Sequence, residues 1–206
     1  TNKGDLDTLR DVSPDARFLI SNFDARAYVD RKRGRQELHE DKLVTQWFPE
    51  DYTPRSGETP GAGQIRIESR LKLYFNLEQD RARIRAKIRD MLSEMTRRDD
   101  PWRDNEDRCV RVMLYASVAG GTGSGGFLPF GYLLKEMVDE AGWGRAQVSA
   151  VLSMPTTFLD KVRKHLHKDI AANGYAALKE LEHLNRQLAY RGGSDSLEFH
   201  YDPGAL

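Results

Sequence analysis

Short apolar runs alternate along this chain with longer stretches in which apolar residues recur every third or fourth position. Arg17–Ser21, written RFLIS, follows the turn signal Ser13-Pro14-Asp15 and reads as a buried strand. A helical stretch begins near Arg66. Between Glu78 and Arg97, residues Ile84, Ile88, Met91, Leu92 and Met95 fall on one face of an amphipathic helix whose other face is dense in Arg, Asp and Glu. After Asp99-Asp100-Pro101, the run Val110–Ser117 (VRVMLYAS) predicts a second buried strand that passes directly into glycines. Phe130, Leu133, Leu134, Met137 and Val138 mark a helix over Phe127–Ala141, and Val148–Leu152 marks the next strand, ended by Met154-Pro155. Leu166, Ile170, Ala177, Leu178, Leu181, Leu184 and Leu188 define a long helical region with a break expected at Asn173-Gly174. From Ala25 to Thr59 the pattern is poor; Leu43, Val44, Trp47 and Phe48 among charged residues predict loop with one short helix.

Strands separated by long helices are βα units. They predict an α/β fold with a mostly parallel sheet and helices on both faces, in which a ligand would sit at the carboxyl ends of the strands.

Composition narrows the class of protein. With 206 residues, 39% hydrophobic and 31% charged, the chain suits one soluble globular domain. Lys+Arg and Asp+Glu each number 32, so net charge gives no direct signal for nucleic acid or an anionic membrane surface. The basic tract Arg31–Arg35 is short and followed at once by Glu37, Glu40 and Asp41, the pattern of a solvated face. No apolar run approaches the roughly 20 residues that span a bilayer, and Thr1–Arg10 is too polar for a signal peptide, so a cytoplasmic chain is expected. Cys109 is the single cysteine, which excludes an internal disulfide and disfavours zinc sites built on paired thiolates. His165 and His167 stand two apart, a spacing that sends them to different helix faces rather than to one metal. The chain starts without Met and stops just after the strand-like Leu197–Tyr201, as expected of a piece of a longer protein.

The densest chemical signal is Ala119–Gly126, AGGTGSGG, in which five of eight residues are glycine. It joins the Val110 strand to the next helix, where backbone N–H groups and the positive end of a helix dipole can face phosphate oxygens. Thr122 and Ser124 add hydroxyl donors, and a purely structural turn would need only one or two glycines. A second loop, Gly57–Arg66 (GETPGAGQIR), places Gly61, Ala62 and Gly63 before another helix. Two helix amino ends converging on one polyphosphate would explain both loops. No Gly-Lys-Ser or Gly-Lys-Thr string occurs, so the P-loop arrangement is unsupported.

The order of these motifs resembles one family. GGTGSG at Gly120–Gly125 is similar to the signature loop of the tubulin/FtsZ superfamily, and GAGQ at Gly61–Gln64 resembles its earlier loop, which contacts the outer phosphate. Phe18–Ala25 (FLISNFDA) resembles the family's second strand and acidic loop, Met154-Pro155 with Phe158 and Arg163 its ribose-side loop, and Asn173 in ANGYAALKEL its guanine-edge asparagine. The wording is nearer to the large bacterial tubulin-like domain proteins than to cytoskeletal tubulin or FtsZ, and the likeness runs from about Arg17 to about Tyr190. Ala119 stands where many members carry a further glycine, and Arg26–Glu58 has no matching counterpart.

The resemblance implies a Rossmann-like, tubulin-type nucleotide-binding domain, here a fragment, that binds GTP or GDP with Mg2+. It implies self-association into filaments, with hydrolysis completed by the acidic loop of a neighbouring subunit. The family's first glycine-rich loop, long central helix and catalytic acidic loop would lie outside these residues. It assigns phosphate contacts to Gly120, Gly121, Thr122, Gly123, Ser124 and Gly125, outer-phosphate contacts to Ala62, Gly63 and Gln64, and metal, phosphate or water organisation to Asn22 and Asp24. Asp24 is the catalytic candidate, with an ordinary capping role as the alternative. Two rivals stay open: a non-hydrolysing tubulin-like scaffold within a larger assembly, and a nicotinamide-binding Rossmann domain. The latter is disfavoured because Val148–Leu152 ends in Ser153-Met154-Pro155 rather than in an acidic residue for the ribose.

Overall fold

The computed structural model describes residues 24–34, 48–49, 51–55, 65–97, 109–141 and 145–190. The described elements run α1 (Ala25–Gly34), α2 (Arg66–Arg97), β1 (Cys109–Ser117), α3 (Gly121–Glu140), β2 (Arg145–Ser153), two short 3-10 turns (Pro155–Phe158 and Lys164–Leu166) and α4 (His167–Tyr190). The expected strand Arg17–Ser21 lies outside the described residues.

β1 and β2 form a two-stranded parallel sheet, in register from Cys109 opposite Arg145 to Ser117 opposite Ser153. A parallel pair needs a crossover, and α3 supplies it. Because side chains alternate along a strand, Val112, Leu114 and Ala116 share a face with Val148, Ala150 and Leu152. That face packs on helices: Val112 and Val148 lie against Leu133, Met137 and Val138 of α3, while Leu114, Ala116 and Leu152 join Phe127, Leu128, Ala177 and Leu181. The opposite face carries Met113, Val151 and Tyr115, the last 71% exposed. Among the described residues helices therefore cover one face of the sheet, where helices on both faces are expected from the sequence.

α2 is long because its helix-favouring residues continue through a kink at Asp80, whose φ −141°, ψ 26° are not helical. Ile67, Leu71 and Phe75, before the kink, pack with Ala25, Tyr28 and Val29 of α1, whereas Leu77 just before it and Ile84, Ile88 and Leu92 after it pack with α3. Met91, expected on the buried face, is exposed. Fully burying a side chain such as Leu71 contributes about 2 kcal/mol. The segment from Ala25, expected as loop with one short helix, begins with a ten-residue helix, α1, because Asp24 caps it and Tyr28 and Val29 bury against α2.

α4 runs unbroken through Asn173-Gly174. The glycine there serves close packing: a Cβ at position 174 would lie 2.4 Å from Pro155 Cγ. No helix among the described residues is long and apolar enough to cross a membrane.

Candidate functional site

β1 delivers the chain to the glycine turn at its carboxyl end. Val118 N–H donates to Ser153 O at 3.1 Å, so the segments leaving β1 and β2 start level with each other. Ala119 N–H then reaches Ser117 Oγ at 3.3 Å. Gly120 is the N-cap of α3 in an extended conformation (φ −90°, ψ 165°), and the first bond of the helix runs from Ser124 N–H to Gly120 O at 3.2 Å. The amides of Gly121, Thr122 and Gly123 precede that bond, so α3 itself offers them no acceptor.

The helix thus starts at Gly121, six residues before the start expected at Phe127. Glycine is a poor helix former, costing about 1 kcal/mol against alanine, so its run reads locally as loop. Packing overrides this. A Cβ at Gly123 would lie 1.9 Å from Ser117 O, and one at Gly125 would lie 2.1 Å from Arg66 O. These two glycines let the first turn of α3 press against the end of β1 and the start of α2. Gly120 differs: among the described residues nothing lies within 4 Å of a Cβ placed there.

The two hydroxyls diverge. Thr122 is exposed. Ser124 is 0% exposed, and its Oγ donates to Gly120 O at 2.6 Å. The hydroxyl expected to face a ligand is therefore spent on closing the turn.

Two helices grip this turn. Ser69 Oγ donates to Thr122 O at 3.1 Å, Arg66 Nη2 to Ser124 O at 3.2 Å and Arg70 Nε to Gly125 O at 3.0 Å, all from the first two turns of α2. Glu180 of α4 binds both arginines: Arg66 Nη2 at 2.5 Å, Arg70 Nη2 at 2.5 Å, and Arg70 Nη1. Burial by itself would raise the Glu180 carboxyl, but the hydrogen bonds and charges of Arg70 and then Arg66 outweigh it and hold it below the usual carboxylate range.

The other predicted site residues are distributed as follows. Asn173 is buried, and its Nδ2 donates to Ala119 O at 3.2 Å, directly behind the turn. Arg163 is exposed on the loop after β2, where it caps the 3-10 turn Lys164–Leu166. Asp24 is half-buried, and its Oδ1 accepts from Ala27 N–H at 2.9 Å, which makes it the N-cap of α1. Asn22, Ala62, Gly63 and Gln64 lie outside the described residues; the helix that follows GAGQ begins at Arg66, against Gly125. His167 Nε2 lies 3.2 Å from Val162 O, and no group of three or more His, Cys, Asp or Glu that could hold a metal occurs among the described residues.

Arg66, Ser69, Arg70 and Glu180 escape a reading of the sequence. Arg66 and Arg70 are four apart, hence on one helix face, but Glu180 is 110 residues from Arg70 and no local pattern links them. Pro129 is a usable signal. It sits inside α3, four residues after Gly125, and so removes the helical donor to Gly125 O.

A parallel βαβ unit with a glycine turn between strand and helix, joined to α4 by a buried asparagine, defines a mixed α/β protein. Residues 4–205 match the family model described as "Tubulin like", and the chain belongs to that family. Neither a curated protein nor a solved structure matches it.

Proposed function

We propose that this domain binds a guanine nucleotide, GTP or GDP, with the phosphates at the amino end of α3. One observation carries the reading: the amides of Gly121, Thr122 and Gly123 lead the helix without intrahelical acceptors, beside a Gly120 where, among the described residues, nothing occupies the place of a side chain. Membership of the tubulin-like family supports guanine as the base. In this reading Gly120, Gly121, Thr122 and Gly123 contribute backbone donors, Thr122 a hydroxyl as well, and Ser124 the internal bonds that shape the turn, with Gly125 allowing its close packing. The Gly61–Gln64 segment supplies outer-phosphate contacts, and Arg163 reaches the ribose side.

Asn173 keeps a place at the turn, and recognition of the base would require its amide to leave Ala119 O. Magnesium bound to the phosphates would offset part of their charge. Filament assembly, with a neighbouring subunit completing hydrolysis, is the matching assembly state. Binding without hydrolysis, as in a scaffold, is favoured by one observation: Asp24, the catalytic candidate, has its carboxylate engaged as a helix cap.

Gly120→Ala is the direct test. Gly120 has backbone angles open to any residue and, among the described residues, no neighbour to clash with, so stability stays within about 0.5 kcal/mol of the parent. Affinity for a fluorescent GTP analogue falls at least about tenfold, because the methyl group enters the phosphate space. Unchanged GTP affinity in the variant, or tighter binding of NAD than of GTP by the parent, would overturn the reading.

A further inference from the structure

We propose that Arg70 replaces the backbone donor that Pro129 removes from α3, and that Glu180 holds Arg70 in that place, making both positioning residues for the glycine turn. The sequence sets the problem. In a regular helix Gly125 O would accept from the N–H of residue 129, but residue 129 is proline and has none. A carbonyl beside the buried Arg70 needs another donor. Arg70 Nε occupies that role at 3.0 Å.

The fork geometry explains why arginine serves here. Arg70 is 7% exposed, its Nη1 and Nη2 both bind Glu180, and its Nε remains directed at Gly125 O. A planar guanidinium can meet a two-toothed carboxylate and a carbonyl at once; a lysine ammonium cannot reproduce that fork. Arg66, one turn earlier, joins Glu180 to Ser124 O through Nη2 alone.

Peptide planarity carries the effect to the ligand side. Each carbonyl lies in one rigid plane with the N–H of the next residue. Ser69 holds Thr122 O and so orients Gly123 N–H, while Arg66 and Arg70 fix the two peptides that follow Ser124 and Gly125. Through Ser69 the start of α2 thereby sets the direction of the Gly123 amide, and through Arg66 and Arg70 it holds in place the helical peptides on which that first turn rests. The use of the turn's amides on phosphate rests on the proposed nucleotide-binding function; the replacement of the Pro129 donor does not.

A double-mutant cycle in the full chain tests this with Arg70→Met and Pro129→Ala. Two readouts are needed: hydrogen exchange across residues 121–128, and affinity for GTP compared with guanosine. Arg70→Met speeds exchange there about tenfold and weakens GTP about tenfold while leaving guanosine unchanged. In the Pro129→Ala background, where position 129 regains an N–H that can donate to Gly125 O, the same substitution has less than about a threefold effect on either readout. Arg70→Lys follows Arg70→Met and takes its place in the cycle if the methionine variant does not fold. Equal effects of the Arg70 substitution in both backgrounds would overturn the proposal. Coupled exchange in a parent protein that binds no GTP would uphold the donor replacement and sink the nucleotide reading alone.

Discussion

Asn173 and Ala119 are 54 residues apart in sequence, yet the Asn173 amide donates to the Ala119 carbonyl at 3.2 Å. The bond fastens α4 to the residue where β1 has ended and the glycine turn begins, so the position of the turn depends on a helix that follows both strands.

Asn173→Ala leaves the Ala119 carbonyl without this donor in a buried place. We expect a loss of about 2 kcal/mol, read as a lower thermal midpoint by circular dichroism. Asn173→Asp goes further at neutral pH, since a carboxylate would face a carbonyl oxygen. Burial and that repulsion raise the new carboxyl above its unfolded value, so the aspartate form gains stability as pH falls and the gap between the two variants narrows. A gap that widens on acidification would count against the bond.

Gly123→Ala should destabilise by at least about 3 kcal/mol, because its Cβ would fall 1.9 Å from the Ser117 backbone and no flexible side chain can give way. Gly174→Ala meets Pro155 Cγ at 2.4 Å, a ring able to shift slightly, and should cost about 1–3 kcal/mol. Chemical denaturation of both variants checks the order; equal stabilities would show that the close approaches relax freely.

Much of this architecture is legible in the chain itself. Both strands are, because VRVMLYAS and the run around Val148 are short, apolar and bounded by turn residues. The inner face of α3 is, because Leu133, Leu134, Met137 and Val138 recur at helical spacing. Two boundaries are not, for one shared reason. The early start of α3 and the continuity of α4 depend on glycines that make backbone contact with distant residues, Ser117 and Arg66 in one case and Pro155 in the other, while local propensity reads glycine as a break. The ring of Arg66, Arg70 and Glu180 is hidden because ion pairing between helices leaves no periodic trace.

Acid should loosen that ring. Glu180 is held below its ordinary value by Arg70 and Arg66 despite burial, so its contribution is present above the unfolded carboxylate value, near 4.5, and is lost as pH falls through the lower folded value. Glu180→Ala, which takes the Glu180 carboxylate away from the buried Arg70 guanidinium, should cost about 3 kcal/mol at pH 7 and flatten the acid limb of the stability curve. An acid limb of unchanged slope would remove Glu180 from the account.

A second buried carboxylate makes an alkaline prediction. Glu68 is 1% exposed and accepts from Tyr52 Oη at 3.1 Å, from Arg55 N–H at 3.0 Å and from Arg55 Nη2 at 2.6 Å, joining residues 52–55 to α2. Burial, then the charge and hydrogen bond of Glu68, push the Tyr52 phenol up to about 12, with Arg55 opposing weakly. The folded state thus keeps a proton that the unfolded chain releases near 10. Tyr52 therefore contributes its stabilisation fully below pH 10 and loses it between about 10 and 12. Phenolate absorbance should show Tyr52 ionising in that late window as the step that Tyr52→Phe removes, and Glu68→Gln should bring that step earlier by removing the facing charge. Were Tyr52→Phe to leave the late step in place, the slow tyrosine would be another one and the bond to Glu68 would not control it.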